Sequence, residues 1–147
     1  MPSETIAIAC DHGGLELKSQ LKSELEKCGY NTLDLGSNST ESVDYPDFAY
    51  ALAQALKDGK ASRGVLICGT GIGISIAANR HSHIRAAVIH DALSARLCRQ
   101  HNDANVLCLG GRVLGVDVAR DCLDIFLKTE FEGGRHARRV GKLSNPT

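Results

Sequence analysis

A cysteine followed at once by three alternating glycines is the feature of the sequence best suited to chemistry. The stretch Val65–Arg80 reads VLICGTGIGISIAANR, in which an apolar run ends at Cys68 and a glycine loop follows. Such loops expose backbone N–H groups that bind anions, and a thiol beside a helix N-terminus is drawn toward the thiolate, a base or nucleophile. A buried cysteine at a strand end is the alternative interpretation of Cys68.

The glycine spacing excludes two common nucleotide-binding motifs. Dinucleotide-binding loops follow G-x-G-x-x-G, and Ile74 stands where the third glycine of that pattern would be. The Walker pattern fails as well, because no Gly-Lys-Ser/Thr follows the loop. An anion-binding turn and a purely structural strand-to-helix turn both remain open.

Other polar candidates lie where strands or helices are expected to end. Asp11 and His12 follow an early apolar run. Turn residues are common at strand ends, but this general tendency explains the pair only weakly. His101 and Asn102 lie in the run RQHND, where helix capping is an alternative explanation. Cys98 lies one helical turn before His101, but no second pair of ligands completes a metal site. No metal ion is therefore predicted.

A basic run near the C-terminus offers a phosphate site. If a helix begins after the glycine pair in EGGRHARRV, Arg135 and Arg139 project from one face. Two guanidinium groups so placed can bind one phosphate through bidentate contacts. A solvated basic tail is the other interpretation.

The elements that must position these residues alternate along the chain. Short apolar runs predict five strands, at Thr5–Cys10, Asn31–Leu35, Gly64–Cys68, Ile84–His90 and Val106–Leu109. Amphipathic helical segments separate them, and the last core helix is predicted at Gly115–Glu130. This alternation favours one three-layer α/β domain, residues 1–147, around a parallel sheet with both faces covered. Ligands of such sheets bind at the carboxyl ends of the strands, where Asp11, Cys68 and Arg112 are expected.

Composition excludes several classes of function. The chain has 147 residues, 43% of them apolar, which is enough for the core of one domain. A formal net charge of zero and 4% aromatic residues argue against nucleic-acid binding. Neither a leader nor a long apolar span is recognisable, so no membrane partner is expected. Six cysteines without C-x-x-C spacing suggest reduced thiols and a cytoplasmic location.

Several separated motifs, in order along the whole chain, resemble the ribose-5-phosphate isomerase B family. The matching motifs are ACDHGG, DYPDFA, ICGTGIGISIAANR, RQHNDANVL, GGRVLG and EGGRHARRV. The resemblance implies a Rossmann-like α/β/α sandwich with a five-stranded parallel sheet. It also implies an aldose-ketose isomerase of the non-oxidative pentose phosphate pathway that needs no cofactor and no metal. Ser75, with no acidic residue nearby, places the chain in the branch of the family that uses a cysteine as its base.

The resemblance assigns roles to individual residues. Cys68 is implied to remove the C2 proton of open-chain ribose 5-phosphate, giving a cis-enediolate that is reprotonated at C1. His101 is implied to open the sugar ring, and Thr70 to help move a proton between the two sugar oxygens. Implied substrate-binding residues are Asp11, His12, Tyr45, Gly69, Gly71, Ile72, Gly73, Asn102, Arg112, Arg135 and Arg139, with the arginines on the phosphate.

The expected partners are a phosphorylated sugar and a second copy of the chain. The resemblance implies a homodimer, or a dimer of dimers, whose active sites draw residues from two subunits. Cys68 is expected from one chain and at least one of His101, Asn102, Arg112, Arg135 or Arg139 from the other. Two alternatives stay open: a six-carbon substrate such as galactose or allose 6-phosphate, and a non-catalytic phosphosugar-binding module.

Overall fold

Five parallel strands form one sheet in the computed structural model, which describes residues 3–146; residues 1, 2 and 147 of the predicted domain lie outside that range. The strands are β1 (Thr5–Cys10), β2 (Asn31–Asp34), β3 (Arg63–Cys68), β4 (Ala86–Val88) and β5 (Val106–Gly110). Their order across the sheet is β2-β1-β3-β5-β4. Cys10 pairs with Ile67 and Cys68 with Gly110, so the carboxyl ends of the three central strands lie level with one another.

Helices cover both faces of this sheet. They are α1 (Leu15–Lys27), α2 (Tyr45–Lys57), α3 (Ile72–Ala78), α4 (Ala92–Gln100), α5 (Val116–Lys128) and α6 (Arg135–Leu143). Buried residues of α1, α4 and α5 form one core cluster with the sheet, and those of α2 and α3 form the other. The predicted three-layer sandwich with five parallel strands is thereby confirmed.

Strand β1 shows how the sequence separates the two cores. Its side chains alternate, so Ile6 and Ile8 pack into the cluster under α1, whereas Ala7 and Ala9 pack into the cluster under α2. All four residues are fully buried, which explains why the strand reads as a continuous apolar run.

Strand β4 is shorter than predicted. The apolar run Ile84–His90 predicted seven residues, but only Ala86–Val88 form the strand. Ile84 donates its N–H to the carbonyl of His81, which makes a turn instead of extending the ladder. The Asn79 side chain then pairs with both backbone groups of Ala86 at the outer edge of the strand.

Other predicted boundaries shift by one or two residues. Strand β2 ends at Asp34 and not at Leu35, because the Asp34 carboxylate accepts the N–H of Gly36 and turns the chain. The predicted helix Gly115–Glu130 begins at Val116, after Gly115 as N-cap, and ends at Lys128. Among residues 3–146, every helix is too short or too polar to span a lipid bilayer.

Candidate active site

Three glycine-bearing loops meet at the carboxyl edge of the sheet, after β1, β3 and β5. A methyl group built on Gly111 would lie 2.4 Å from the carbonyl oxygen of Gly13. A methyl group on Gly110 would lie 2.7 Å from the backbone of Thr70. Glycine is therefore required for these backbones to approach. The loops form one continuous surface around Cys68.

Cys68 ends β3 at the centre of this surface. Its side chain is 4% exposed, and its sulfur accepts a hydrogen bond from the N–H of Gly71 at 3.1 Å. Gly71 has φ of +82°, a left-handed conformation that a glycine adopts without steric cost and that turns its N–H back toward the sulfur. A backbone donor at the start of a helix stabilises negative charge on sulfur. Cys68 therefore packs in the core cluster beneath α2 and α3, with its sulfur against a backbone donor.

The remaining N–H groups of the loop divide into occupied and free donors. Ile72 donates its N–H to Thr70 Oγ1 at 3.2 Å, and the Gly71 N–H is held by the sulfur. The N–H groups of Gly69, Thr70 and Gly73 have no acceptor among the described residues. Free donors at a helix start bind an anion or a developing oxyanion. An anion bound by this loop would therefore meet these three N–H groups.

Asp11 and His12 lie in the neighbouring loop, as the sequence predicted. Asp11 is buried, and its Oδ1 accepts the N–H of Gly13 at 2.8 Å. His12 Nδ1 accepts the N–H of Val43 at 3.1 Å, so Nε2 carries the proton when the ring is neutral. Val43 was not found from the sequence, because its contact with His12 spans 31 positions and leaves no local pattern.

Tyr45 and Arg112 border the same loop. A methyl group on Gly73 would lie 2.6 Å from Tyr45 Cζ, so the phenol ring rests against the first turn of α3. The Arg112 side chain passes over Gly69, where a methyl group would meet its Cδ at 3.5 Å. One edge of the sheet thus carries the glycine loop together with Cys68, Thr70, Asp11, His12, Tyr45 and Arg112.

The other predicted residues lie at the opposite, amino edge. Helix α4 begins near the carboxyl edge of the sheet and runs back to the amino edge. Its C-cap His101 and the following Asn102 therefore lie near the start of β5. The link to α6 joins them there, because Glu132 donates its N–H to the carbonyl of Gln100 at 3.1 Å. Asn102 and Arg139 line a common cleft with His101. Arg135 begins α6, as predicted.

Two histidines stack within this second group. The rings of His101 and His136 lie 4.4 Å apart between centroids and within 11° of parallel. Glu132 Oε1 lies 4.0 Å from His101 Nε2 and 3.7 Å from His136 Nε2. Burial lowers the pKa of His136, and the positive potential of His101 adds to this effect. His136 and Glu132 were not assigned from the sequence; the short spacing within EGGRH is the only signal that pointed to them.

These three side chains also form a cluster of possible metal ligands. Their ligand atoms lie within 4.8 Å of one another. The two imidazole planes are nearly parallel, however, so their in-plane lone pairs do not converge on one ion. The absence of a metal stays a prediction.

The two groups are too far apart in one chain to act on one small molecule. Strands of five or six residues are roughly 16–20 Å long, and β3 and β5 separate the Cys68 edge from the His101 edge. A catalytic group must come within about 3 Å of the atom it serves. Each edge therefore carries only part of the predicted set.

Comparisons with known proteins match almost the whole chain. Residues 6–143 match the family model described as Ribose/Galactose Isomerase. Ribose-5-phosphate isomerase B of Escherichia coli is 47% identical over 135 residues, which are 92% of this chain and 91% of that protein. D-erythrulose-4-phosphate isomerase of Pectobacterium atrosepticum is 44% identical over 140 residues, 95% of this chain and 92% of that one.

A solved structure shows the same fold. Ribose-5-phosphate isomerase B of Clostridium thermocellum superposes with a TM-score of 0.94 at 54% identity, covering 95% of both chains. The three-layer architecture is thus shared with a structure of closely similar sequence.

Proposed function

The chain belongs to the ribose/galactose isomerase family and is an isomerase, and from this premise we propose that it interconverts D-ribose 5-phosphate and D-ribulose 5-phosphate. The observation that carries the proposal is Cys68, whose sulfur meets a backbone N–H beside three free donors at a helix start. This arrangement couples a base to an oxyanion site, which is what proton transfer next to a carbonyl requires.

The Cys68 thiolate removes the C2 proton of the open-chain aldose. The electron pair of that C–H bond forms the C1–C2 double bond of a cis-enediolate, and the carbonyl oxygen O1 takes up the negative charge. Free N–H groups of Gly69, Thr70 and Gly73 stabilise this charge without reorganising. The thiol returns the proton to C1, and the Thr70 hydroxyl helps transfer the hydroxyl proton from O2 to O1.

Polar side chains at the same edge orient the sugar. The buried Asp11 carboxylate accepts a sugar hydroxyl with the oxygen that Gly13 leaves free, and His12 donates from Nε2. Tyr45 is 40% exposed and presents its phenol beside the start of α3. Asn102, which lies beside His101 at the other edge of the sheet, binds a further hydroxyl group of the sugar.

Three arginines bind the phosphate. Arg112 extends over the glycine loop, and Arg135 and Arg139 are exposed one turn apart on α6. Guanidinium groups bind phosphate through paired N–H donors, which fixes the orientation of the substrate as well as its charge.

His101 opens the furanose ring before isomerisation. Ring opening needs a proton removed from the anomeric hydroxyl and a proton delivered to the ring oxygen. One imidazole near neutral pH can do both, because it accepts a proton at one nitrogen and returns it. The half-exposed His101 ring is accessible for this exchange.

A two-fold homodimer brings the two groups together. The Cys68 edge of one chain then faces the His101 edge of the other, and each dimer holds two complete sites. Exposed apolar side chains border both halves and support this contact: Ile72 and Ile76 on α3 beside the glycine loop, and Leu143 on α6. Covering them removes apolar surface from water and encloses the enediolate, which limits loss of phosphate by elimination.

Substrate length is the finer point of the proposal. The family description names galactose as well as ribose, and one relative is named for a four-carbon sugar phosphate. Six-carbon aldose 6-phosphates therefore remain the alternative substrates. A pure phosphosugar-binding module is disfavoured, since binding requires the arginines but not a thiol with its own backbone donor.

A coupled assay with ribose 5-phosphate tests the proposal. We expect turnover by the wild-type chain that exceeds turnover of galactose 6-phosphate and allose 6-phosphate at equal concentration. Faster turnover of a six-carbon substrate would assign the alternative. Tight binding of ribose 5-phosphate without turnover of any of the three would contradict an isomerase working through Cys68.

A further inference from the structure

The turn that carries His101 and Asn102 ends at a residue with an unusual backbone. Asp103 has φ of +47°, and it is the one non-glycine residue of positive φ among the described residues. Aspartate tolerates this left-handed conformation better than most residues, but it is still less favourable there than glycine. Gly29 and Gly59 fill the equivalent place after α1 and α2. The presence of aspartate in place of glycine at this position therefore requires a structural explanation.

Two arginines hold that side chain. Arg99 Nη1 donates to Asp103 Oδ1 at 3.0 Å, and Arg85 Nη2 donates to Oδ2 at 3.4 Å. Arg85 Nε also donates to the Asp103 carbonyl oxygen at 2.7 Å. Both carboxylate oxygens and the carbonyl of one residue are therefore bound by guanidinium groups, and charge-assisted bonds of this kind are the strong ones.

The same arginines connect the turn to neighbouring elements. Arg99 Nε donates to the carbonyl of Thr129 at 3.1 Å, where the link from α5 to α6 begins. Arg99 Nη1 also donates to the carbonyl of Ala104 at 2.7 Å, at the other end of the turn. Arg85, which directly precedes β4, anchors the turn to the sheet. The turn is thus fixed against both the start of the α5–α6 link and β4.

We propose that Asp103 is a positioning residue, which through Arg85 and Arg99 holds the His101 turn in the geometry that ring opening needs. The inference rests on the proposed function of His101. Asp103 is about one-third exposed, so its carboxylate fills no core space, and shortening it leaves no cavity. Its contribution is to orientation, and displacement of a catalytic group by about 1 Å can cost about 100-fold in rate.

Asp103→Gly separates the carboxylate from the backbone conformation. Glycine adopts φ of +47° freely, so the substitution keeps the turn, and with it the bond from Arg85 Nε to the backbone carbonyl, while removing the carboxylate contacts to both arginines. We expect the initial rate with ribose 5-phosphate to fall about tenfold or more, because His101 is no longer held. Both rates are measured with enough enzyme that spontaneous ring opening limits the supply of open chain, and the rate with ribulose 5-phosphate, which has no furanose ring to open, then falls much less. A purely structural loss would lower the fraction of active protein and leave the ratio of the two rates unchanged.

Asp91→Gly is the matched control. Asp91 caps the N-terminus of the same helix, and its Oδ1 accepts the N–H of Ser94 at 2.7 Å, remote from the His101 turn. We expect this variant to keep the wild-type ratio of the two rates. Asp103→Asn keeps the side-chain shape and removes the charge, and it is measured as a second variant in case Asp103→Gly does not fold. It should shift the ratio of the two rates in the same direction as Asp103→Gly.

The outcomes separate this inference from the proposed function. A wild-type ratio in both folded Asp103 variants, with a shifted ratio in His101→Asn, overturns the inference and leaves the proposed function intact. An unshifted ratio in His101→Asn, or no isomerase activity in the wild type, overturns the proposed role of His101 or the proposed function itself. A shift in both the Asp103 and His101 variants, absent from Asp91→Gly, supports the inference.

Discussion

Cys68 is the side chain on which the proposed chemistry depends most, and Cys10 provides its comparison. Both end a central strand at the same edge, and both are buried. Burial raises the pKa of Cys10 to about 11, which disfavours a thiolate, and its thiol donates to the carbonyl of Ser37 at 3.7 Å. The sulfur of Cys68 instead meets an N–H donor. Two cysteines at equivalent strand ends thus differ in the polar group that meets the sulfur.

Cys68→Ala should reduce isomerisation by about 100- to 10 000-fold, because it removes the proposed base. Cys68→Ser should be nearly as poor, since a serine hydroxyl ionises far less readily than a thiol. Binding of an inert sugar-phosphate analogue, measured by calorimetry, should be retained because the arginines are untouched. Cys10→Ala is the control and should keep activity. Near-wild-type turnover by either Cys68 variant would exclude the cysteine as base.

His101→Asn should show how ring opening differs from isomerisation. With ribose 5-phosphate, the initial rate should approach a ceiling as enzyme is added, because spontaneous ring opening then limits the supply of open chain. With ribulose 5-phosphate, the rate should remain proportional to enzyme concentration. Proportional rates with both substrates, lowered by the same factor, would contradict the assigned role.

At the scale of elements, a buried lysine supports the loop that reaches His12. Lys18 of α1 is 3% exposed, and its Nζ donates to Asp34 Oδ1, the carbonyl of Ser37 and Asn38 Oδ1 at 2.7, 2.6 and 2.9 Å. Burial by itself raises the pKa of Asp34. The hydrogen bond from Lys18, with that from the Gly36 N–H, outweighs burial and holds the pKa below its ordinary value.

Lys18→Met should lower the free energy of unfolding by about 3 kcal/mol, because it removes the Lys18 donor from the Ser37 carbonyl and Asn38 Oδ1 and takes away the nearest positive charge of Asp34. Lys22→Met is the control, since Lys22 is more exposed and lies 3.5 Å from Asp34 Oδ2; its loss should cost less than about 1 kcal/mol. A lowered carboxyl pKa stabilises the fold above the unfolded pKa, and this contribution disappears as the pH falls through the folded pKa. The deficit of Lys18→Met in urea unfolding should therefore shrink in acid. Equal deficits for the two lysine variants would refute the account.

The strands and the turns at the carboxyl edge of the sheet were predictable where the sequence carries a local pattern. The apolar runs located β1 and β3, and the glycine after Cys68 located the turn at the carboxyl edge. The strand order has no local signal, because it depends on which buried faces pack. The contacts of His12 with Val43 and of Arg85 with Asp103 join residues distant in sequence, so no spacing rule could have found them. The predicted length of β4 was wrong because hydropathy does not reveal that a turn and the Asn79 side chain shorten an edge strand.

At the scale of the whole molecule, the parallel topology divides the site. Each helix that follows a strand carries the chain back to the amino edge, so His101 at the end of α4 cannot meet Cys68 at the end of β3 in the same chain. We therefore propose that one active site takes Cys68 from one chain and His101 from another. Catalysis would then require assembly.

Mixing Cys68→Ala chains with His101→Asn chains tests that claim most directly. The two variants carry different affinity tags, are unfolded and refolded together, and mixed dimers are isolated with both tags. Each mixed dimer pairs the intact Cys68 of one chain with the intact His101 of the other in one of its two sites. Random pairing should restore about one quarter of wild-type activity before isolation, and about half in the isolated mixed dimers. Isolated mixed dimers no more active than the two parent variants would contradict a shared active site.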